Sequence, residues 1–181
     1  FEILRASEVG RALLALNGDA EQRVYKSPQY MGTIGIYQNP GDFIVLSDSL
    51  FELDTPLRAA STLAHELTHR LQKRHENSLG WSFKPKNGYE RTVCTLLSEL
   101  HANSIADIVL YQAQETFSKR QEKPDWISSF EDYCIPLPKT IDMNDKREFA
   151  QYIFEQNFTF VEGITDYISY DFQKYHEKLL S

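Results

Sequence analysis

Apolar residues recur along this chain in two rhythms, one helical and one alternating, and together they place most of the elements. Residues 7–16 have the spacing of a short amphipathic helix, with Ser7 as its N-cap and Gly18 just past its end. Residues 32–38 and 43–46 are rich in β-formers and flank Asn39-Pro40-Gly41-Asp42, which predicts a hairpin. Thr55-Pro56 then offers an N-cap followed by proline at the first helical position. Leu57, Ala60, Ala64, Leu67 and Leu71 continue at helical spacing, so a helix should run to about residue 75. Residues 76–87 hold Gly, Pro, Asn and Ser and read as a loop. A long helix follows over residues 88–117, where Val93, Leu96, Leu97, Leu100, Ile105, Ile108 and Val109 spread around the circumference and predict a central, buried position. Residues 121–144 carry Pro124, Pro136 and Pro138 and form a connection, and two aromatic-rich helices are expected over 145–157 and 160–179. The pattern predicts a mostly helical α+β fold with a small β-hairpin and edge sheet, in a single domain over residues 1–181.

Composition narrows the partners. Lys and Arg number 19 against 26 Asp and Glu, a net charge of −7 with the basic residues scattered, so nucleic acid and anionic membrane surfaces are not expected partners. The acidic balance leans weakly toward a basic or neutral substrate segment. No continuous apolar run is long enough to predict a membrane span. The two cysteines, Cys94 and Cys134, make no disulfide framework, and Cys94 in its apolar helical stretch reads as a buried thiol. A cytosolic and an exported protein are both compatible with this usage. The chain begins at Phe1 rather than Met, which reads as a fragment or processed form.

The chemistry concentrates at His65-Glu66-Leu67-Thr68-His69. On a helix, positions i and i+4 lie one above the other about 6 Å apart along the axis, so two imidazoles there can converge on one ion. Their face lies opposite the apolar stripe of the same helix. A zinc ion held by them would lower the pKa of a bound water toward about 7, and Glu66, rotated roughly 100° from His65, would flank that water as general base. A tetrahedral catalytic site still needs one more protein ligand. Glu99 is the leading candidate. It sits in Ser98-Glu99-Leu100-His101-Ala102-Asn103-Ser104-Ile105-Ala106, sharing a helix face with Asn103, Ala106 and Leu110, where small alanines allow close approach of the two helices. Asn103, one turn on, is placed to hold a ligand histidine.

Over roughly residues 55–110 this arrangement resembles the gluzincins, the thermolysin-like branch of the HExxH (zincin) metallopeptidases. The resemblance is carried by His65, Glu66, His69 and Glu99, and more loosely by Asn103, where thermolysin-like proteins have Asp. It is also similar to short bacterial single-domain metallopeptidases whose second helix carries a Glu-x-x-Ala-Asn pattern. The resemblance implies endopeptidase activity on a protein or peptide substrate, with Zn²⁺ held by His65, His69 and Glu99. Two rivals for the third ligand stay open. Glu162, in Val161-Glu162-Gly163-Ile164-Thr165-Asp166-Tyr167, resembles the Glu-Gly-x-x-Asp-Tyr motif of some secreted zincins, but it lies far down the chain and would make the 89–117 helix an insertion. His75 has the metzincin spacing HExxHxxGxxH, but Gln72 stands where that motif has its helix-ending glycine, and Gln72-Lys73-Arg74 favour continued helix.

Other positions are weaker. His101, two residues from Glu99, is expected to point to nearly the opposite face and reads as an ordinary core or surface histidine. Tyr152, Tyr167 and Tyr170 are available to stabilise an oxyanion, with nothing to choose between them. The 32–38 run is the expected edge strand for an extended peptide, or simply a hairpin covering the core. The sequence thus predicts a zinc peptidase; the alternative is a non-catalytic zincin-like binding or regulatory domain with a structural or absent metal.

Overall fold

The computed structural model describes residues 1–28, 34–52, 56–75, 87–122, 124–132 and 136–157. The chain opens with two short helices, α1 (Glu2–Ala6) and α2 (Glu8–Asn17), hinged at Ser7. Ser7 caps α2 as expected: its hydroxyl oxygen accepts from Gly10 N at 3.0 Å and donates to Gln112 Oε1 at 2.7 Å. Gly18, at φ 56°, ends α2 in a left-handed conformation. Helix α1 has no counterpart among the sequence expectations, because five residues are too few to show a helical period.

A turn of 3₁₀ helix (Ala20–Gln22) leads into β1 (Val24–Ser27), followed by β2 (Gly35–Gln38) and β3 (Phe43–Ser47). The expected hairpin forms: β2 runs antiparallel to β3 with Ile36 opposite Val45 and Tyr37 opposite Ile44. Residues 32 and 33 lie outside the described residues, and β3 extends one residue beyond the expected run. Strand β1 is an addition. It pairs parallel to β3, giving the order β1-β3-β2. Val24-Tyr25-Lys26-Ser27 shows no apolar alternation, so nothing local marks it as a strand. In this order β2 is an edge strand.

After a short helix, α3 (Ser49–Glu52), comes α4 (Pro56–Arg74), whose start and length match the proline and the apolar stripe; Thr55 lies outside the described residues. Leu57, Ala60, Ala64 and Leu67 are buried against the sheet and against α5 (Gly88–Ser118), while Leu71 is only partly covered. Each of these leucines, fully buried, stabilises the fold by about 1.5–3 kcal/mol. Asn87 caps α5 by accepting from Glu90 N at 2.9 Å.

Helix α5 departs in part from its expected burial. From Leu100 onward it is a core helix, with Ala102, Ala106, Val109, Leu110, Ala113 and Phe117 buried, but Leu97 remains 48% exposed. Residues Glu90–Ser118 also reach a mean hydropathy of 1.3 over 18 residues, enough by length and composition to cross a membrane. The core helix of a soluble protein meets the same criteria, and α5 packs against α1, α2 and α4.

A 3₁₀ stretch (Asp125–Asp132) interrupts the expected connection, setting Phe130 edge-on to Tyr111 and Trp126 edge-on to Phe117. Helix α6 occupies residues 146–157 and buries Phe149 and Ile153, in line with expectation. Residues 76–86 of the expected 76–87 loop, Cys134, the helix over 160–179, and with it Glu162, Tyr167 and Tyr170, lie outside the described residues.

Candidate metal centre

Helix α4 presents its apolar stripe to the core and, one turn apart, His65 and His69. Their Nε2 atoms stand 2.9 Å from each other, with the rings at 79°. Helix α5 crosses close enough, over its buried alanines, for Glu99 to reach both: its two carboxylate oxygens lie 3.2 Å from His65 Nε2 and 3.3 Å from His69 Nε2. Among the described residues, His65, His69 and Glu99 form the group of His, Cys, Asp and Glu side chains that can hold an ion. Four ligands at zinc-like bonds of about 2.0–2.1 Å sit roughly 3.3 Å apart along the edges of their tetrahedron. The two Nε2 atoms stand somewhat closer than that to each other, and each faces a different oxygen of the Glu99 carboxylate at about that distance.

The outer nitrogens of the two rings show what the inner ones carry. His65 Nδ1 is 2.9 Å from Asn103 Oδ1, and His69 Nδ1 is 2.9 Å from Gln72 Oε1. With the Asn103 and Gln72 amide oxygens facing these nitrogens, each Nδ1 is the donor and each Nε2 of a neutral ring presents a lone pair. Two lone pairs and a carboxylate therefore converge on one point. Such a set calls for a cation, and two nitrogens with one oxygen suit Zn²⁺ in the open, three-ligand form of a catalytic site. All three side chains are half-buried. The two imidazoles beside it hold Glu99 well below the usual carboxylate range; burial lowers the pKa of His69, and Glu99 raises it by more.

Glu66 lies on the adjoining flank of α4 and is only 8% exposed. Its Oε2 accepts the backbone N–H of Tyr37 at 2.8 Å, which ties the outer edge of β2 to the site. Gly35 makes this approach possible: a Cβ there would stand 2.5 Å from Thr62 Cγ2 and 3.3 Å from Glu66 Cγ. Burial pushes the Glu66 carboxyl up, opposed by the two imidazoles and the Tyr37 N–H and assisted by Glu99. A base raised toward neutrality is better matched to proton transfer at physiological pH.

The rival ligands fare differently. His75 continues the helical hydrogen bonding of α4, its N–H donating to Leu71 O at 3.0 Å, and it stays further along the axis, outside the converging group. Tyr152 donates its hydroxyl to Pro136 O at 2.7 Å, a commitment away from any oxyanion role. His101 requires a correction. It does not turn to the far side of α5 but meets Gln72 of α4, with Nδ1 3.0 Å from Gln72 Nε2. The two helices cross so closely that a neighbouring face of α5 also contacts α4.

Gln72 and Ser98 were legible as residues but not as parts of the site. Gln72 follows His69 by three positions and so shares its helix face, a signal that was present. The Tyr37 N–H belongs to the backbone and has no residue signature. No family model, curated protein or solved structure matches this chain.

Proposed function

We propose that the chain is a zinc-dependent peptidase with a zincin-like arrangement, in which His65, His69 and Glu99 bind Zn²⁺ and Glu66 is the general base. The observation that carries this reading is the convergence of two imidazole Nε2 atoms, 2.9 Å apart, with a Glu99 oxygen within 3.3 Å of each, beside a buried glutamate. Bound zinc supplies Lewis acidity there, making water nucleophilic at neutral pH. Glu66, anchored through Oε2 by Tyr37 N–H, takes the proton of the attacking water and passes it to the leaving amine. Asn103, with its amide oxygen 2.9 Å from Nδ1, orients the His65 imidazole.

The substrate is a protein or peptide in extended form. Strand β2 is an edge strand whose Tyr37 N–H points to Glu66 rather than to β3, so a chain laid along that edge passes the base. Helix α5 acts as a core helix, not a membrane span, and no surface is assigned to nucleic acid.

The activity test compares wild type with Glu66→Gln on an unstructured protein substrate such as casein, with zinc content measured on both. The variant should keep its zinc and lose cleavage by about 10²–10⁴-fold. Equal cleavage by both proteins, or none by a zinc-loaded wild type, would overturn the enzymatic reading in favour of a binding or regulatory domain.

A further inference from the structure

Gln72 stands at the centre of a hydrogen-bond network that ends on a main-chain atom, and this feature gives it a definite task. Its amide nitrogen donates to the Ser98 carbonyl oxygen at 3.1 Å and to His101 Nδ1 at 3.0 Å, which occupies both of its protons. Its amide oxygen accepts from the Ser98 hydroxyl at 2.6 Å and lies 2.9 Å from His69 Nδ1. The Ser98 hydroxyl oxygen is itself 3.3 Å from His69 Nδ1.

A side-chain amide can ordinarily turn over, exchanging its oxygen and nitrogen. Here it cannot do so without loss. The Ser98 carbonyl accepts and never donates, so turning the amide would oppose two carbonyl oxygens and set the NH₂ group against His69. That NH₂ would need a lone pair on His69 Nδ1, moving the ring proton to Nε2 and aiming it at Glu99 and His65. A protonated Nε2 cannot ligate a metal.

We propose that Gln72 is a positioning residue for His69: anchored by the Ser98 carbonyl and by His101, it fixes the His69 proton on Nδ1 and leaves Nε2 as the metal-facing lone pair. The proposal rests on the metal-site reading for its consequence, but the tautomer it assigns exists with or without an ion. It also gives His101 a place in the site, as the acceptor that occupies the second amide proton. The two helices are thereby joined at the metal by a polar link as well as by the Glu99 carboxylate, so the spacing of α4 and α5 and the tautomer of His69 are set by the same contacts.

The test is histidine ¹⁵N–¹H long-range correlation NMR on metal-free protein at alkaline pH, where the rings are neutral, with zinc affinity measured in parallel by chelator competition. Wild type should show His69 protonated at Nδ1. Gln72→Met, which fills the same space without an acceptor, should lose that single tautomer and bind zinc about 10–100-fold more weakly. Gln72→Glu keeps an acceptor oxygen for His69 and should retain the Nδ1 proton, while its second oxygen, set against the Ser98 carbonyl, should leave zinc affinity below wild type. Ser98→Ala keeps the carbonyl and should also retain that proton. A wild-type His69 protonated at Nε2, or a Gln72→Met protein with unchanged tautomer and affinity, would overturn the proposal. If wild type shows the Nδ1 proton and Gln72→Met loses it while neither binds zinc, the positioning role stands and the metal reading falls.

Discussion

Glu99 and Asp107 lie about two turns apart on α5, and their surroundings drive them in opposite directions. Glu99 is held down by the imidazoles, whereas burial pushes Asp107 up to about 6, only partly offset by the hydrogen bond from Asn157 Nδ2 at 2.7 Å. For Asp107 the folded pKa exceeds the unfolded value of about 3.9. Its contribution is therefore favourable below about pH 4, fades as pH rises through about 6, and leaves a destabilising charge at neutrality. Asp107→Asn, which keeps an acceptor for Asn157, should raise stability by roughly 2 kcal/mol at pH 7.5 and change little at pH 4. Urea unfolding at the two pH values checks this, and no gain at pH 7.5 would contradict it. At the same scale, Gly35→Ala should disturb the site directly, since the added methyl group meets Thr62 and the Glu66 stem. Cleavage should fall more than stability, and a variant with wild-type turnover would show that the approach of β2 to Glu66 is looser than it stands. At single residues, the candidate ligands and base announce themselves because metal chemistry allows few side chains at few spacings. Gln72, Ser98 and His101 do not, since glutamine, serine and histidine have many uses and only the crossing of α4 over α5 selects one.

Helix α4 carries the site on one face and a structural clamp at its end. Arg70 has no exposed surface. Its guanidinium donates to Asp42 Oδ1 and Oδ2 at 2.9 Å each, to Asp19 Oδ1 at 2.8 Å and to Asn17 O at 3.3 Å. One side chain thus ties the hairpin turn and the end of α2 to the helix that bears the ligands. Arg74 reinforces it, reaching Asp42 at 2.6 Å. Arg70→Met should cost about 2–4 kcal/mol in urea unfolding, since charge-assisted bonds are lost while the carboxylates stay partly hydrated. Asp42 and Asp19 are both held below their ordinary values by these arginines. Their stabilisation is present above about pH 4 and is lost as pH falls below it, so Arg70→Met should narrow the stability difference between pH 7 and pH 3. A difference unchanged by the substitution would remove the clamp from the acid response. Elements followed the same logic of legibility. Helices α2, α4 and α5 and the β2–β3 hairpin were readable because their periods, caps and turn residues agree with the fold. Strand β1 was not, because its identity comes from pairing with β3 in space rather than from any pattern in its four residues.

At the scale of the whole molecule, the three-stranded sheet, α4 and α5 bring the edge of β2, the candidate base and the three candidate ligands to one place from three separate stretches of chain. The mostly helical α+β character was legible from patterning alone; the crossing of α4 and α5 was not, because it depends on which faces meet. The converging lone pairs also link stability to the ion. Metal that binds the folded chain alone stabilises it by about 2.7 kcal/mol at 100 times its dissociation constant. Thermal unfolding should therefore move upward with added zinc and return on chelation, and this shift should vanish in His65→Ala. The most direct measurement is the metal stoichiometry of purified protein by elemental analysis, for wild type, His69→Ala and Glu99→Ala side by side. The account predicts one zinc per wild-type chain and a large loss of affinity in both variants. A wild-type protein that takes up no transition metal, or one whose binding is unchanged in either variant, would contradict it.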